Sequence, residues 1–323
     1  MAILGYHNSH EQFKPSVLLD YVRLAEQAGF QGALSSDHFH PWSNSQGESG
    51  FAWSWLGAAL QATNLTFGVV NAPGQRYHPA IIAQAAATLA EMFPERFFIC
   101  LGSGQALNEM ITGDKWPAKA ERNARLKESV EIIRALWNGE RVTHKGLVNV
   151  EEAQLYTLPE VQPLIVGAAV SDKTAEWVGS WADALITVSK PPQELKKTVE
   201  AFRRGGGEGK PMYLKVQLSY ARSEQEARQG AHDQWRGNIF NNSLLTDLRI
   251  PEQFEAAAEF VNLNELDNFV RISSSVQQHI DWLGEYIQLG FNNLYLHNVN
   301  LNHLPFIEDF GAKVIPALKD VSA

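Results

Sequence analysis

Apolar residues fall into short, nearly unbroken runs, separated by longer stretches in which they recur every three or four positions. The short runs read as strands: Ala2-Ile3-Leu4-Gly5-Tyr6, Gly32 to Ser36, Leu65 to Asn71 and Arg96 to Leu101. They resume at Pro163 to Ala169, Ala184 to Ser189, Met212 to Tyr220 and Asn293 to His297. Continuous rather than alternating hydrophobicity marks parallel strands covered on both faces. The periodic stretches predict helices over Pro15 to Ala28, Ala52 to Ala62, Pro79 to Met92 and Ala120 to Trp137. Further helices follow over Lys173 to Trp181, Pro192 to Arg204, Glu224 to Trp235, Val276 to Leu289 and Leu304 to Leu318. Pro15 and Pro79 stand where a proline suits the first helical turn, and Gly29 and Gly290 where a glycine ends a helix.

Eight strands alternating with helices predict an α/β chain folded as a (β/α)8 TIM barrel, which needs about 250 residues. The 323 residues present therefore form one domain, 1–323, with two excursions: a hairpin-like one near 138–160 and a helical cap near 237–270. A doubly wound open sheet would require a glycine-rich turn after the first strand, and Tyr6-His7-Asn8-Ser9 has none.

Composition narrows the partners. A net charge of −9 argues against nucleic acid or an anionic membrane, which demand basic patches. No cationic and then apolar leader opens the chain. The longest uncharged apolar stretch, Pro79 to Ala90, falls short of the roughly 20 residues of a membrane span. The single cysteine, Cys100, lies in an apolar run and reads as a buried hydrophobe. A cytoplasmic protein acting on a small-molecule substrate is expected.

In a barrel the C-terminal strand ends converge on one mouth. Here they supply His7, Asn8 and Glu11; Asp37, His38 and Trp42; Val70 and Asn71; Gly102-Ser103-Gly104-Gln105; Ala168-Ala169; Val188-Ser189-Lys190; Ser219; and His297-Asn298. Few charges and many small or amide groups suit a flat, partly apolar ligand better than a divalent metal. His38-Phe39-His40 raises the alternative of a metal-dependent hydrolase barrel. That would need ligands from later strands, where Ala168-Ala169 offers none and only His297 is well placed, so no metal is expected. Gly102-Ser103-Gly104 is either a tight turn or an anion cradle at a helix start. Ser171 reads as a helix cap, Trp53 and Trp55 as core, and His38 as a base or a hydrogen-bonded structural residue.

Several fragments together resemble one family. Leu4-Gly5-Tyr6 with Glu11-Gln12-Phe13, Ser36-Asp37-His38-Phe39-x-Pro41-Trp42, Arg76-Tyr77-x-Pro79-Ala80, Ile82-Ala83-Gln84-Ala85 and Gly102-x-Gly104-x-Ala106-Leu107-Asn108-Glu109 are similar to the luciferase-like monooxygenase superfamily. Leu136-Trp137-x-Gly139 and Gly290-Phe291-x-x-Leu294-x-x-His297 extend the match. Within that superfamily the chain most resembles the deazaflavin-dependent glucose-6-phosphate dehydrogenase branch. The resemblance implies a flavin-type oxidoreductase in which His38 takes the substrate proton, Trp42 closes over the reacting centre and Glu11 stands nearby. It implies that Asp37 meets the edge of the ring and that a bulge with a non-proline cis peptide near Val70-Asn71 backs it. Ser103, Gly104, Ala168, Ala169 and Ser189 complete the candidate cofactor contacts, and Lys190 and His297 are candidate substrate contacts.

The departures from that branch bear on chemistry. The family's proton-donating glutamate is Gln105, and an amide cannot act as a general acid. Glu109, four residues on, shares its helical face as substitute or anchor. Lys190 corresponds to one sugar-phosphate cation, while the other two fall at or near Ala256 and Phe269. A Gly-Gly pair at the cofactor phosphate is replaced by Ala168-Ala169. Hydride transfer or monooxygenation of a small organic substrate other than glucose 6-phosphate is expected, with FMN or a deazaflavin coenzyme and a homodimeric assembly; a non-catalytic flavin-binding protein is the alternative.

Overall fold

The computed structural model describes residues 2–319 and Val321. In chain order its strands are β1 (Ile3–Asn8), β2 (Gly32–Ser36), β3 (Thr66–Asn71), β4 (Phe97–Leu101), β5 (Val142–Lys145), β6 (Asn149–Ala153), β7 (Ile165–Ala168), β8 (Ala184–Val188), β9 (Met212–Ser219), β10 (Arg271–Ile272) and β11 (Asn293–Asn298). Eight of them close a parallel barrel in the order β1-β2-β3-β4-β7-β8-β9-β11, with β11 returning to β1. The expected (β/α)8 architecture is thus the observed one. β5 and β6 pair as an antiparallel hairpin, and residues 242–268 form a helical cap.

The helices are α1 (Pro15–Gln27), α2 (Ala52–Ala62), α3 (Pro79–Met92), α4 (Ala106–Glu109), α5 (Lys119–Trp137), α6 (Asp172–Gly179), α7 (Pro192–Phe202), α8 (Glu224–Trp235), α9 (Asn242–Asp247), α10 (Pro251–Ala257), α11 (Val276–Gln288), α12 (His303–Asp309) and α13 (Ile315–Leu318). α1 shows how the outer layer is built. Pro15 opens it without wasting a backbone donor, and Leu18, Val22 and Ala25 recur on one face and are buried against the barrel. The predicted C-terminal helix is interrupted by a wide turn over Phe310–Val314. Pro316 brings no N–H with which to continue the ladder. β10 went unpredicted because two residues are too few to show a period. Among the described residues no helix is long and apolar enough to cross a membrane.

Strand register sorts the inward side chains. Leu34, Gly68, Phe98, Val166, Ala184, Ile186, Tyr213 and Tyr295 face the barrel axis. Phe98 packs edge-on to Tyr213 at 5.2 Å between ring centres and lies 5.9 Å from Tyr295. This plug requires a missing side chain: a Cβ on Gly68 would sit 2.1 Å from Phe98 Cζ. The base of the barrel is therefore a packed core. What lies above it is the mouth.

Candidate active site

β2 ends where Asp37 turns into the mouth loop, and its carboxylate is the most heavily coordinated group there. Oδ2 accepts hydrogen bonds from Trp53 Nε1 at 3.0 Å and Asn71 Nδ2 at 2.7 Å, and Oδ1 accepts from Tyr77 Oη at 3.2 Å. Arg76 Nη2 lies 3.5 Å from Oδ2 and donates to the Asp37 carbonyl at 2.6 Å. The Asp37 side chain has no exposed surface. Its oxygens are spent on protein donors, so the expected contact with a ring edge is replaced by an anchoring role that ties β2, β3, α2 and the loop before α3. Trp53, taken from sequence as core, is one of those donors. Nor is there a bulge: β3 keeps its ladder to Val70↔Cys100 and Asn71↔Leu101, and no peptide among the described residues is cis. Asn71 gives its amide N–H to Asp37, leaving its Oδ1 buried without a partner.

One residue beyond Asp37, the chain presents His38. Its Nδ1 lies 2.8 Å from Glu11 Oε1, while Ser9 Oγ donates to the other Glu11 oxygen at 3.1 Å. Burial would raise the Glu11 pKa, but His38, Lys215 and a backbone N–H hold it well below the usual carboxylate range. Glu11 is therefore an anion that fixes the ring. His38 keeps a partly exposed side chain, with Nδ1 the ring nitrogen held against Glu11. Trp42 packs 5.0 Å from His38, edge to face, and its far side meets Phe254 of the cap at 5.3 Å. His40 turns away, its Nδ1 2.7 Å from the Leu107 carbonyl. The triplet Glu11, His38 and Trp42 is brought together as expected.

The floor of the mouth is the uppermost inward layer. Val70, Gly102, Ala168, Val188 and Lys215 are partly exposed there, small or apolar apart from the lysine. Ala169 faces outward into the core, and its N–H is committed to the Ile186 carbonyl. Ser189 Oγ donates to Gln217 Oε1 at 2.8 Å. His297 is buried among neighbouring side chains rather than open to substrate. Its Nε2 lies 3.2 Å from Gln12 Oε1 and its ring 4.4 Å from His7. Burial and then Lys215 hold the pKa values of both histidines well below ordinary, so both are neutral. Lys215 was missed in sequence although the signal was plain, the lone charge in the apolar run Met212 to Tyr220.

Across the mouth, Gly104 has φ +79°, and a Cβ there would lie 2.8 Å from Glu109 Cγ; only glycine fits this turn. Glu109 accepts from the Arg76 N–H at 3.0 Å and is buried, which raises its pKa against the pull of Arg76. It acts as an anchor for Arg76, while Gln105 at the start of α4 is partly exposed. Ser103 Oγ accepts from Lys119. Lys119 in turn edges an open cleft of about 1050 Å³ whose cations are Lys119, Arg122, Lys127, Lys173 and Arg249, with Asp247 the single acid. Lys190 donates to the Val170 carbonyl. Arg271, two positions past Phe269, donates to the Lys190 carbonyl at 3.4 Å, so this corner holds more positive charge than sequence comparison suggested.

The model of the luciferase-like monooxygenase family matches residues 3–293. The chain is 31% identical over 330 residues to the F420-dependent glucose-6-phosphate dehydrogenase of Beutenbergia cavernae, covering 99% of this chain and 98% of that one. It is 32% identical over 329 residues to the enzyme of that name from Mycobacterium tuberculosis, covering 98% of each. An F420-dependent secondary alcohol dehydrogenase, solved in complex with an F420-acetone adduct, superimposes with a TM-score of 0.91 at 29% identity, covering 99% of both chains.

Proposed function

The chain belongs to the luciferase-like monooxygenase family, and from that premise we propose that it is a deazaflavin-dependent dehydrogenase of small hydroxyl-bearing compounds. The observation that carries the reading is the pairing of Glu11 with His38 beside Trp42, above a floor of small residues. A flat ring would lie against Val70, Gly102 and Ala168, the small residues of that floor. The cation-lined cleft beside Ser103 suits the anionic side chain that a deazaflavin coenzyme carries. When bound, the coenzyme supplies the hydride acceptor or donor. His38, its Nδ1 held by Glu11, accepts the hydroxyl proton at Nε2 as the alcohol is oxidised and returns it when the carbonyl is reduced. Trp42 shields that proton from water under the cap.

The relatives named for deazaflavin dependence favour that coenzyme over FMN. A substrate other than glucose 6-phosphate is supported by Gln105 and by the uncharged Ala256 and Phe269. The test is titration of the protein with FMN and with the deazaflavin coenzyme, followed by turnover on secondary alcohols and on glucose 6-phosphate. His38→Ala should lower turnover at least about 100-fold with coenzyme affinity within about threefold of the parent. Turnover unchanged by that substitution, or binding of neither coenzyme, would overturn the assignment.

A further inference from the structure

Within the mouth one cation has no task. Lys215 stands on β9 opposite Val188 and Tyr295, pointing inward one layer above the aromatic plug. Its side chain is partly exposed to the mouth. Among the described residues no carboxylate lies within 4 Å of its Nζ and no acceptor is in hydrogen-bonding reach; the Trp235 ring centre is 5.8 Å away. The other cations of this corner are occupied. Lys190 is spent on the Val170 carbonyl, and Arg271 on Tyr286 Oη at 2.7 Å and the Lys190 carbonyl.

From this placement, and resting on the dehydrogenase reading above, we infer that Lys215 anchors a negatively charged group of the substrate, so that the enzyme acts on a small hydroxy- or oxo-carboxylate. An ammonium held among Val188 and Trp235 without a counter-ion is costly, and a bound anion is what offsets that cost. One free cation matches a monoanion. A phosphate dianion would draw in addition on Lys190 and Arg271, each of which already gives one or two of its donors to the protein. Glu11 does not take the place of that anion: its oxygens are committed to His38 and Ser9, and it lies more than 4 Å from the ammonium. The same arrangement orients the ligand, with the carboxylate on Lys215 and the carbinol at His38 Nε2. Burial brings the ammonium down to about 8 against the pull of Glu11, so at neutral pH it still carries its charge.

The test compares ligands that differ in charge alone. Lactate and 3-hydroxybutanoate are matched with lactamide and 3-hydroxybutanamide, and calorimetric binding to the coenzyme-loaded protein is measured beside turnover. The acids should bind about 10- to 100-fold more tightly than their amides. Lys215→Met should erase that ratio, and Lys215→Arg should recover part of it. Equal affinity for acid and amide in the parent, binding of neither pair, or a preference that survives Lys215→Met would overturn the assignment. So would a loss in Lys215→Met that falls equally on acid and amide, which would make Lys215 a support for Glu11. Glucose 6-phosphate and glucose form a second matched pair; a charge preference there without one for the acids would assign the anchor to phosphate and sink the carboxylate. The two proposals fail separately. Acid-selective binding without turnover on any substrate removes the dehydrogenase reading and leaves Lys215 as an anion anchor only, and turnover on neutral alcohols without charge preference removes the anchor alone.

Discussion

Replacing Asp37 by alanine separates an anchor from a ligand contact. The substitution leaves Trp53 Nε1, Asn71 Nδ2 and Tyr77 Oη without the acceptor they meet at 3.0, 2.7 and 3.2 Å, and leaves Arg76 Nη2 facing a void where a carboxylate stood 3.5 Å away. Removing one partner of a buried charged network costs about 3–5 kcal/mol, because the desolvated groups left behind find no replacement. Unfolding entropy of about 2.1 cal/mol/K per residue amounts to about 0.7 kcal/mol/K for a chain of this length, so the loss corresponds to a thermal midpoint lower by about 4–7 °C. Asp37→Asn keeps the shape and one acceptor but drops the charge facing Arg76, and should fall between parent and alanine. The assay is thermal unfolding by circular dichroism at matched pH, with coenzyme titration run in parallel. A midpoint within about 1 °C of the parent, accompanied by a large loss of coenzyme affinity, would refute the anchoring role and restore the ring-edge contact that sequence comparison implied.

Two further outcomes follow from the same structure. Glu11→Gln removes the anion that holds His38 Nδ1 and should lower kcat about 10- to 100-fold with little change in coenzyme affinity. Since the folded pKa of Glu11 lies below its unfolded value, its contribution to stability is complete above the unfolded value of about 4.3 and is lost as pH falls below it. The stability gap between parent and Glu11→Gln, measured by urea titration at a series of pH values, should therefore narrow on acidification; a gap that widens would show the sign to be wrong. In the barrel plug, Gly68→Ala drives a methyl into the Phe98 ring and should cost about 1–3 kcal/mol in the same titration, with Phe98→Leu added as second substitution recovering part of the loss.

The barrel was legible because its strands are buried on both faces and must be apolar at nearly every position, a pattern that survives without any tertiary knowledge. The mouth was legible for a related reason: parallel closure brings the strand ends together, so Glu11, His38 and Trp42 could be placed side by side from the order of strands alone. The Asp37 cage was not. Its donors come from α2 and from the loop between β3 and α3, and nothing in the periodicity of Ala52 to Ala62 marks Trp53 as a hydrogen-bond donor rather than core. His297 was misjudged because a strand end fixes which way a side chain points but not how deeply its neighbours bury it.

The buried polar groups of the mouth divide by whether their partners are satisfied, and that division indicates function better than their identities do. Asp37 is the residue that stands out in the sequence, yet its carboxylate meets four protein groups and can do nothing further. Glu11 is satisfied on one side by Ser9 and on the other by His38, which makes it an orienting group. Among the described residues Asn71 Oδ1 is buried without a partner, as are ring or amide atoms of His7, Asn8, His10 and His297, while His38 and Lys215 are the partly exposed base and cation at the mouth. Folding gains nothing from leaving such groups unpaired. On the reading proposed above, a substrate hydroxyl would meet His38 and a substrate carboxylate Lys215, which is the pairing that the matched acids and amides test.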